Sequence, residues 1–272
     1  MSGPSRSVAF DRVAHDYDRT RGGPERAAQV VAESAPLLPP DDPLLEIGVG
    51  TGLIADALAR QGRAVAGVDL SLPMLRLAVG RMPGRVATGD ALRLPIRSGS
   101  VAGVVMIHVL HVVGDVDAAL AEAGRVVRPA GRIVVSTFDG TPPTSDVGKI
   151  LEELGNRVGR ADERPDTETA VTAAATRASL TWAGRIRYRP SFLRLSPAMT
   201  IERVITRSWS WMWQVDEQAW PGAAEAAVDA LRRLPDPDRA RTEPGETTLL
   251  AFEPGQRLPA TAPGAVWSRT RT

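Results

Sequence analysis

Between residues 44 and 138, short apolar runs alternate with stretches whose apolar positions recur at helical spacing. Leu44-Leu45-Glu46-Ile47 reads as a strand, and the amphipathic run Leu53 to Ala59 reads as the helix that follows it. Ala64 to Leu70 and Val86 to Ala91 predict a second and a third strand. Val101 to Leu110 predicts a fourth, nearly all apolar as a parallel strand buried on both faces should be. Ala118 to Arg128 is helical, Pro129-Ala130-Gly131 is a turn, and Arg132 to Ser136 is a fifth strand. Past Asp139 to Pro143 the pattern changes. Helices are predicted over Asp146 to Arg160, Thr167 to Trp182, Ser196 to Arg207 and Asp216 to Leu234. Arg185 to Arg189 alternates as a half-exposed strand, and Thr247 to Phe252 is the last strand. An alternation of this kind predicts an α/β, Rossmann-like fold.

The first strand drives into Gly48-Val49-Gly50-Thr51-Gly52. A tight turn needs one glycine with positive φ, whereas three at alternate positions suggest a backbone that a ligand approaches closely, at the N-terminus of a helix. The dinucleotide pattern G-x-G-x-x-G fails, because its third glycine falls on Leu53. Asp69 ends the second strand, where a carboxylate can hold both ribose hydroxyls; Asp90 ends the third and either accepts from an adenine amino group or caps its own turn. A bare helix cap at Asp69 is served equally well by Ser71, next to Pro73.

With these pieces in order, the chain resembles the class I S-adenosylmethionine-dependent methyltransferases, and within them the branch that includes quinone-biosynthesis C-methyltransferases. The resemblance rests on Glu46-x-Gly48-x-Gly50-x-Gly52, Val68-Asp69-Leu70-Ser71 with Met74-Leu75, Gly89-Asp90-Ala91 with Leu94-Pro95, and Glu122-x-x-Arg125-Val126-Val127-Arg128-Pro129-x-Gly131. Phe10-Asp11-Arg12-Val13-Ala14 with Tyr17-Asp18 extends it, so that it covers roughly residues 10 to 138. It implies a seven-stranded, mostly parallel sheet with helices on both faces, the last strand antiparallel and inserted between its neighbours, plus a helical lid. It also implies one methyltransferase domain over 1–272, with its core at about 10–139 and 183–254 and lid or acceptor elements at about 1–25, 140–182 and 196–222. Residues 1–7 and 255–272 are expected to be mobile.

The resemblance places S-adenosylmethionine against Gly48, Gly50, Gly52, Asp69, Leu70, Met74, Asp90 and Ala91. Glu46 would sit beneath the methionine amino group, and the backbone carbonyl of His108 would receive the same ammonium. Tyr17 and Arg21, four apart, could close over the methionine carboxylate if their helix continues that far. Otherwise Tyr17 packs in the core and Arg21 is solvated before Gly22-Gly23. Arg125 reads as structural, paired with Glu122 or with nearby backbone.

Composition narrows the chemistry. The 272 residues are 43% hydrophobic, enough for one large core, and a net charge of +1 offers no field for nucleic acid. Of 33 basic residues a single one, Lys149, is lysine, and its place suits neither a P-loop nor a Schiff base. Without cysteine there is no thiolate chemistry, and no His/carboxylate cluster suggests a metal. Nothing approaches the roughly 18 apolar residues of a membrane span, and no signal-peptide pattern opens the chain, so a cytoplasmic location is expected. The expected partner is a small-molecule acceptor, and a homodimer is allowed for.

His15, His108 and His111 all lie in segments bordering the cofactor crevice. His111, at the junction after the fourth strand, is the candidate general base; the alternative is a histidine bonded to its own loop. All six tryptophans lie beyond residue 180, and Trp209, Trp211, Trp213 and Trp220 cluster. They read either as packing between lid helices or as an aromatic wall for an apolar acceptor. The activity implied is in-line methyl transfer to a small, apolar or aromatic molecule, leaving S-adenosylhomocysteine. The alternatives are S-adenosylmethionine binding for non-methyl chemistry and a catalytically silent cofactor-binding subunit.

Overall fold

The computed structural model describes residues 10–11, 14–138, 140–160, 164–190, 194–213 and 215–255. Arg12, Val13, Asp139, Trp267 and the expected mobile segments 1–7 and 256–272 lie outside the described residues. Gly255, counted with that tail, donates its N–H to the Ser179 carbonyl at 2.9 Å.

A seven-stranded sheet forms the centre. Its strands in chain order are β1 (Leu44–Ile47), β2 (Val65–Asp69), β3 (Val86–Thr88), β4 (Val101–Met106), β5 (Val127–Phe138), β6 (Leu180–Tyr188) and β9 (Thr247–Pro254). A separate two-stranded ribbon pairs β7 (Arg194–Leu195) with β8 (Arg241–Thr242). The order in the sheet is β3-β2-β1-β4-β5-β9-β6, parallel from β3 to β5, with β9 antiparallel to both β5 and β6. The inserted antiparallel last strand is therefore where the resemblance places it. The order in which successive strands are laid down reverses between β1 and β4. The crevice beyond their carboxyl ends is the place where doubly wound sheets bind ligands.

Helices are α1 (Tyr17–Thr20), α2 (Gly23–Ser34), α3 (Leu53–Arg60), α4 (Leu72–Arg81), α5 (Val116–Val126), α6 (Asp146–Arg157), α7 (Glu168–Arg177), α8 (Pro197–Ile205) and α9 (Trp220–Arg232). Alternation along the strands divides two cores. Leu45, Val104, Val135 and Leu250 face α5 and α7, whereas Leu44, Val105, Val134 and Leu249 face α2, α3 and α4. Each of these eight side chains is at most 1% exposed, so the strands are apolar because both faces are covered. A third cluster stands apart. Leu154, Val204, Met212, Trp220 and Val228 join α6, α8 and α9, with Trp209, Trp211 and Trp213 packed against them.

Three expectations need correction. The helix predicted to Trp182 ends at Arg177; Ser179 turns the chain at φ 58°, and Leu180 begins β6 by pairing with Pro254 of β9. Trp182 thus belongs to the sheet, where it meets Phe252 edge-on at 5.8 Å. Strands three and four stop short of Ala91 and Leu110, leaving their last residues to the loops that build the site. The N-terminal helix does not run unbroken to Arg21: a 3-10 turn at Ala14–Asp16 precedes α1, and Arg21 follows it at φ −119°.

Candidate cofactor site at the carboxyl ends of β1, β2 and β4

A cavity of about 530 Å³ opens at the crevice between β1 and β4. One end is polar. Asp69, at the end of β2, accepts the Gly50 N–H on Oδ2 at 2.7 Å and the Ser71 N–H on Oδ1 at 2.8 Å. A carboxylate has about four lone-pair sites, so these bonds fix its orientation without using all of its acceptor capacity, and Asp69 lines the cavity. Burial pushes the Asp69 acid up from its ordinary range, with a smaller push from Asp11, while the N–H donors pull it back. The helix cap is supplied by Ser71, whose Oγ accepts from Met74 N at 3.3 Å, so Asp69 is not needed for that task.

Gly48, Gly50 and Gly52 hold φ of 73°, 54° and 83°. All three glycines are thus demanded by the backbone itself, against the expectation that the turn needs only one. Space separates their roles. A Cβ on Gly48 would meet Val109 at 2.5 Å and one on Gly52 would meet Ala78 at 3.2 Å, whereas one on Gly50 would meet nothing within 4 Å. Gly50 is therefore the glycine facing open room, and Gly52 stands outside the cavity lining, serving the approach of α3 to α4.

Beside the large cavity lies a chamber of about 40 Å³ lined by Tyr17, Arg21, Arg26, Glu46, Gly48 and Gly50 among others. Glu46 is 2% exposed, its Oε2 has no hydrogen-bond partner, and burial pushes its acid up to about 8. An orphaned buried carboxyl opposite two guanidinium groups suits a zwitterion, ammonium toward Glu46 and carboxylate toward the arginines. The methionine end of S-adenosylmethionine fits that donor set. Arg21 does not point wholly at this chamber: its Nη2 donates to the Ser208 carbonyl at 2.7 Å, and its guanidinium lies 5.7 Å from the Tyr17 ring centre. Burial and the neighbouring Arg26 lower its pKa.

Tyr17, Leu70, Met74, Asp90, Ala91 and His108 line the large cavity. Asp90 also closes its own turn, Oδ1 accepting from Leu92 N at 2.9 Å, so both of its sequence readings have a place. His108 holds φ 53° and donates its N–H to Ser136 Oγ at 2.7 Å. Burial above all, then Arg26 and His111, keeps its imidazole well below the ordinary histidine range. Arg125 is structural: it forks onto Glu122 at 2.7 and 2.8 Å and bonds the Ile96 and Leu94 carbonyls.

His15 is exposed, and His111 is not among the cavity-lining residues. His111 Nδ1 stands 3.6 Å from Oδ2 of Asp166, which is itself 5% exposed and gripped by Arg164 through two bonds of 2.8 Å. Trp209, Trp211, Trp213 and Trp220 belong to the third cluster, and among the described residues no tryptophan lines the cavity; Trp213 packs edge-on at 5.0 Å against Phe10, which does. Sequence reasoning passed over Phe10, Leu92, Ile107, Val109, Val112 and Val113, which form the apolar end. For Ile107, Val109, Val112 and Val113 the signal was present, since apolar residues run on past the point where a six-residue β4 stops.

The N-terminal segment closes one side of the cavity. Asp18 accepts from Thr51 Oγ1 at 2.5 Å and from Arg81 at 2.7 Å, and Ser71 Oγ donates to Asp11 at 2.6 Å. Arg19 forks onto Glu202 of α8 at 2.7 and 3.2 Å, so the segment bridges the glycine turn and the third cluster.

Among the described residues no helix is long and apolar enough to cross a membrane, and no group of His, Cys, Asp or Glu could hold a metal ion.

Residues 45–135 match the family model described as a methyltransferase domain. Demethylmenaquinone methyltransferase from Mycolicibacterium gilvum is 35% identical over 148 residues, 53% of this chain and 64% of that protein. The enzyme of the same name from Streptomyces avermitilis is 34% identical over 134 residues, 47% of this chain and 58% of that protein. The chain thus spans under two thirds of these relatives' length. In fold it is similar to an S-adenosylmethionine-dependent methyltransferase from Thermotoga maritima, with TM-score 0.56, 19% identity, and coverage of 91% of this chain and 99% of that one. The cyclase SpnF is also similar, with TM-score 0.58, 16% identity, and coverage of 94% and 98%. The match through the glycine turn and the strands that carry the site, together with this fold, makes the chain similar to the class I S-adenosylmethionine-dependent methyltransferases.

Proposed function

We propose that the protein binds S-adenosylmethionine in the β1/β4 crevice and transfers its methyl group in line to a small apolar or aromatic acceptor, leaving S-adenosylhomocysteine. The observation that carries this is the division of the site. Asp69 stands ready for a ribose, a chamber with Glu46 opposite Arg21 and Arg26 suits an amino acid, and an apolar end suits a ring. The cofactor supplies an electrophilic methyl group on a sulfonium. What the chain contributes is position: Asp69 and Glu46 hold the two ends, while Val109, Val112 and Phe10 exclude water where the acceptor would lie. The relatives' name, demethylmenaquinone methyltransferase, makes a quinone-type ring the first acceptor to screen. In this reading α6, α8, α9 and the N-terminal segment act as the lid.

The cyclase neighbour has the same fold without methyl transfer in its name, so fold does not choose between transfer and binding alone. Calorimetry with S-adenosylhomocysteine, followed by methyl-transfer assays over a panel of phenols, hydroquinones and apolar hydroxyl compounds, separates the two. Tight binding with transfer to a panel member supports the proposal. Tight binding with no transfer to any of them favours a binding protein.

A further inference from the structure

His111 stands in the loop after β4, between cavity-lining Val109 and the pair Val112 and Val113. Its Nδ1 faces Asp166 across 3.6 Å, an ion-pair contact longer than a hydrogen bond, of the kind that tightens when a ligand closes a site. Asp166 comes from the loop before α7, far away in sequence. Several bonds hold it there: its carbonyl accepts from Phe138 N at 2.9 Å, its carboxylate is forked by Arg164, and the Arg164 guanidinium stacks 4.3 Å from the centre of the Phe138 ring. So much anchoring for a carboxylate 5% exposed fixes where its charge lies. That charge lies against the imidazole of a loop whose neighbouring residues Val109 and Val112 line the apolar end of the cavity.

We propose that Asp166 is a positioning residue that keeps the Nδ1–H tautomer of His111, leaving the Nε2 lone pair to take a proton from a hydroxyl-bearing acceptor. The proposal rests on the methyl-transfer reading of the site. As the acceptor oxygen bonds to the methyl carbon, the carbon–sulfur bond breaks with its electron pair left on sulfur. The hydroxyl proton passes to Nε2, and the imidazolium so formed faces the Asp166 carboxylate. His108, which does line the cavity, is a poor alternative, because burial and the cations around it disfavour its protonated form. Asp166 faces His111, with Arg164 behind it from the loop before α7, and His108 interacts with it from its own loop.

The test needs no acceptor. The protein holds three histidines, so nitrogen-resolved NMR of the full chain can follow His111 alone once it is assigned with His111→Gln. In Asp166→Asn, which keeps size and removes charge, the His111 pKa should fall by about one unit, a tenfold loss of proton affinity, and the Nδ1–H tautomer should lose its dominance. In Asp166→Glu both should be largely restored, which a purely steric role would not produce. An unchanged His111 pKa and tautomer in folded Asp166→Asn would overturn the proposal. Calorimetry with S-adenosylhomocysteine on the same samples separates the two layers: wild type that fails to bind it ends the methyl-transfer reading, whereas binding together with an unmoved His111 ends only this one.

Discussion

At the scale of single residues, burial decides which groups are chemically unusual. Glu46 has an acid pushed up to about 8, so in the ligand-free protein it is mostly protonated at neutral pH. The folded state therefore binds a proton that the unfolded chain, with an ordinary glutamate, releases above about pH 4.5. Stability is lost as pH rises from there toward 8. Glu46→Gln should remove this loss, raising stability at pH 7 by up to about 3 kcal/mol, as urea unfolding at pH 5 and pH 8 would show. The same side chain should give up its proton to meet an ammonium. Binding of S-adenosylhomocysteine at pH 7 should then release close to one proton, visible as a calorimetric enthalpy that changes with the ionisation heat of the buffer. The glycines make a second contrast. Gly50→Ala should weaken cofactor binding more than it lowers Tm, and Gly52→Ala the reverse, each carrying about 1–2 kcal/mol of left-handed strain. The glycine motif was plain in the sequence, but this division of labour was not, since it depends on Ala78 of α4 and Val109 after β4 lying where they do.

At the scale of elements, what was legible is what repeats locally. The β1-to-α3 turn, the buried β4 and the Ser71 cap all follow from patterns a few residues long. The end of α7 does not. Thr167 to Trp182 is rich in helix formers, and only pairing with β9, seventy residues on in the chain, draws Leu180 to Trp182 into the sheet. Likewise His111 and Asp166 meet through a loop that no local pattern ties to β4. The tryptophan cluster had two readings, and packing is the one the geometry has. Trp211 lies in the third cluster with the Arg160 guanidinium 4.9 Å from its ring centre, away from the cavity. Trp211→Ala should cost about 2–4 kcal/mol and lower Tm, with the affinity for S-adenosylhomocysteine changed less than threefold. The N-terminal segment should behave differently. Asp18→Asn replaces one carboxylate shared by Thr51 and Arg81, and should speed cofactor release by roughly tenfold in stopped-flow displacement, at about 1–2 kcal/mol per charge-assisted bond weakened.

At the scale of the whole molecule, the reversal of strand order between β1 and β4 gathers Glu46, Gly50, Asp69 and His108 from three separate βα junctions into one crevice. The cofactor half of the site is readable because each junction carries its own motif. The apolar end, where the proposed acceptor would lie, is lined by Phe10 and the loop after β4, with Trp213 of the third cluster packed on Phe10, so its shape emerges only from packing. If the crevice is built for S-adenosylmethionine, Asp69 must carry two hydrogen bonds to the ribose with a charged acceptor. Calorimetric titration of S-adenosylhomocysteine into wild type and Asp69→Ala, with NAD as the competing ligand, reads this out. Wild type should bind S-adenosylhomocysteine and not NAD, and Asp69→Ala should lose roughly 2–4 kcal/mol, about 30-fold to 1,000-fold in Kd. Equal affinity in the two folded proteins, or preference for NAD, would contradict the assignment of the crevice.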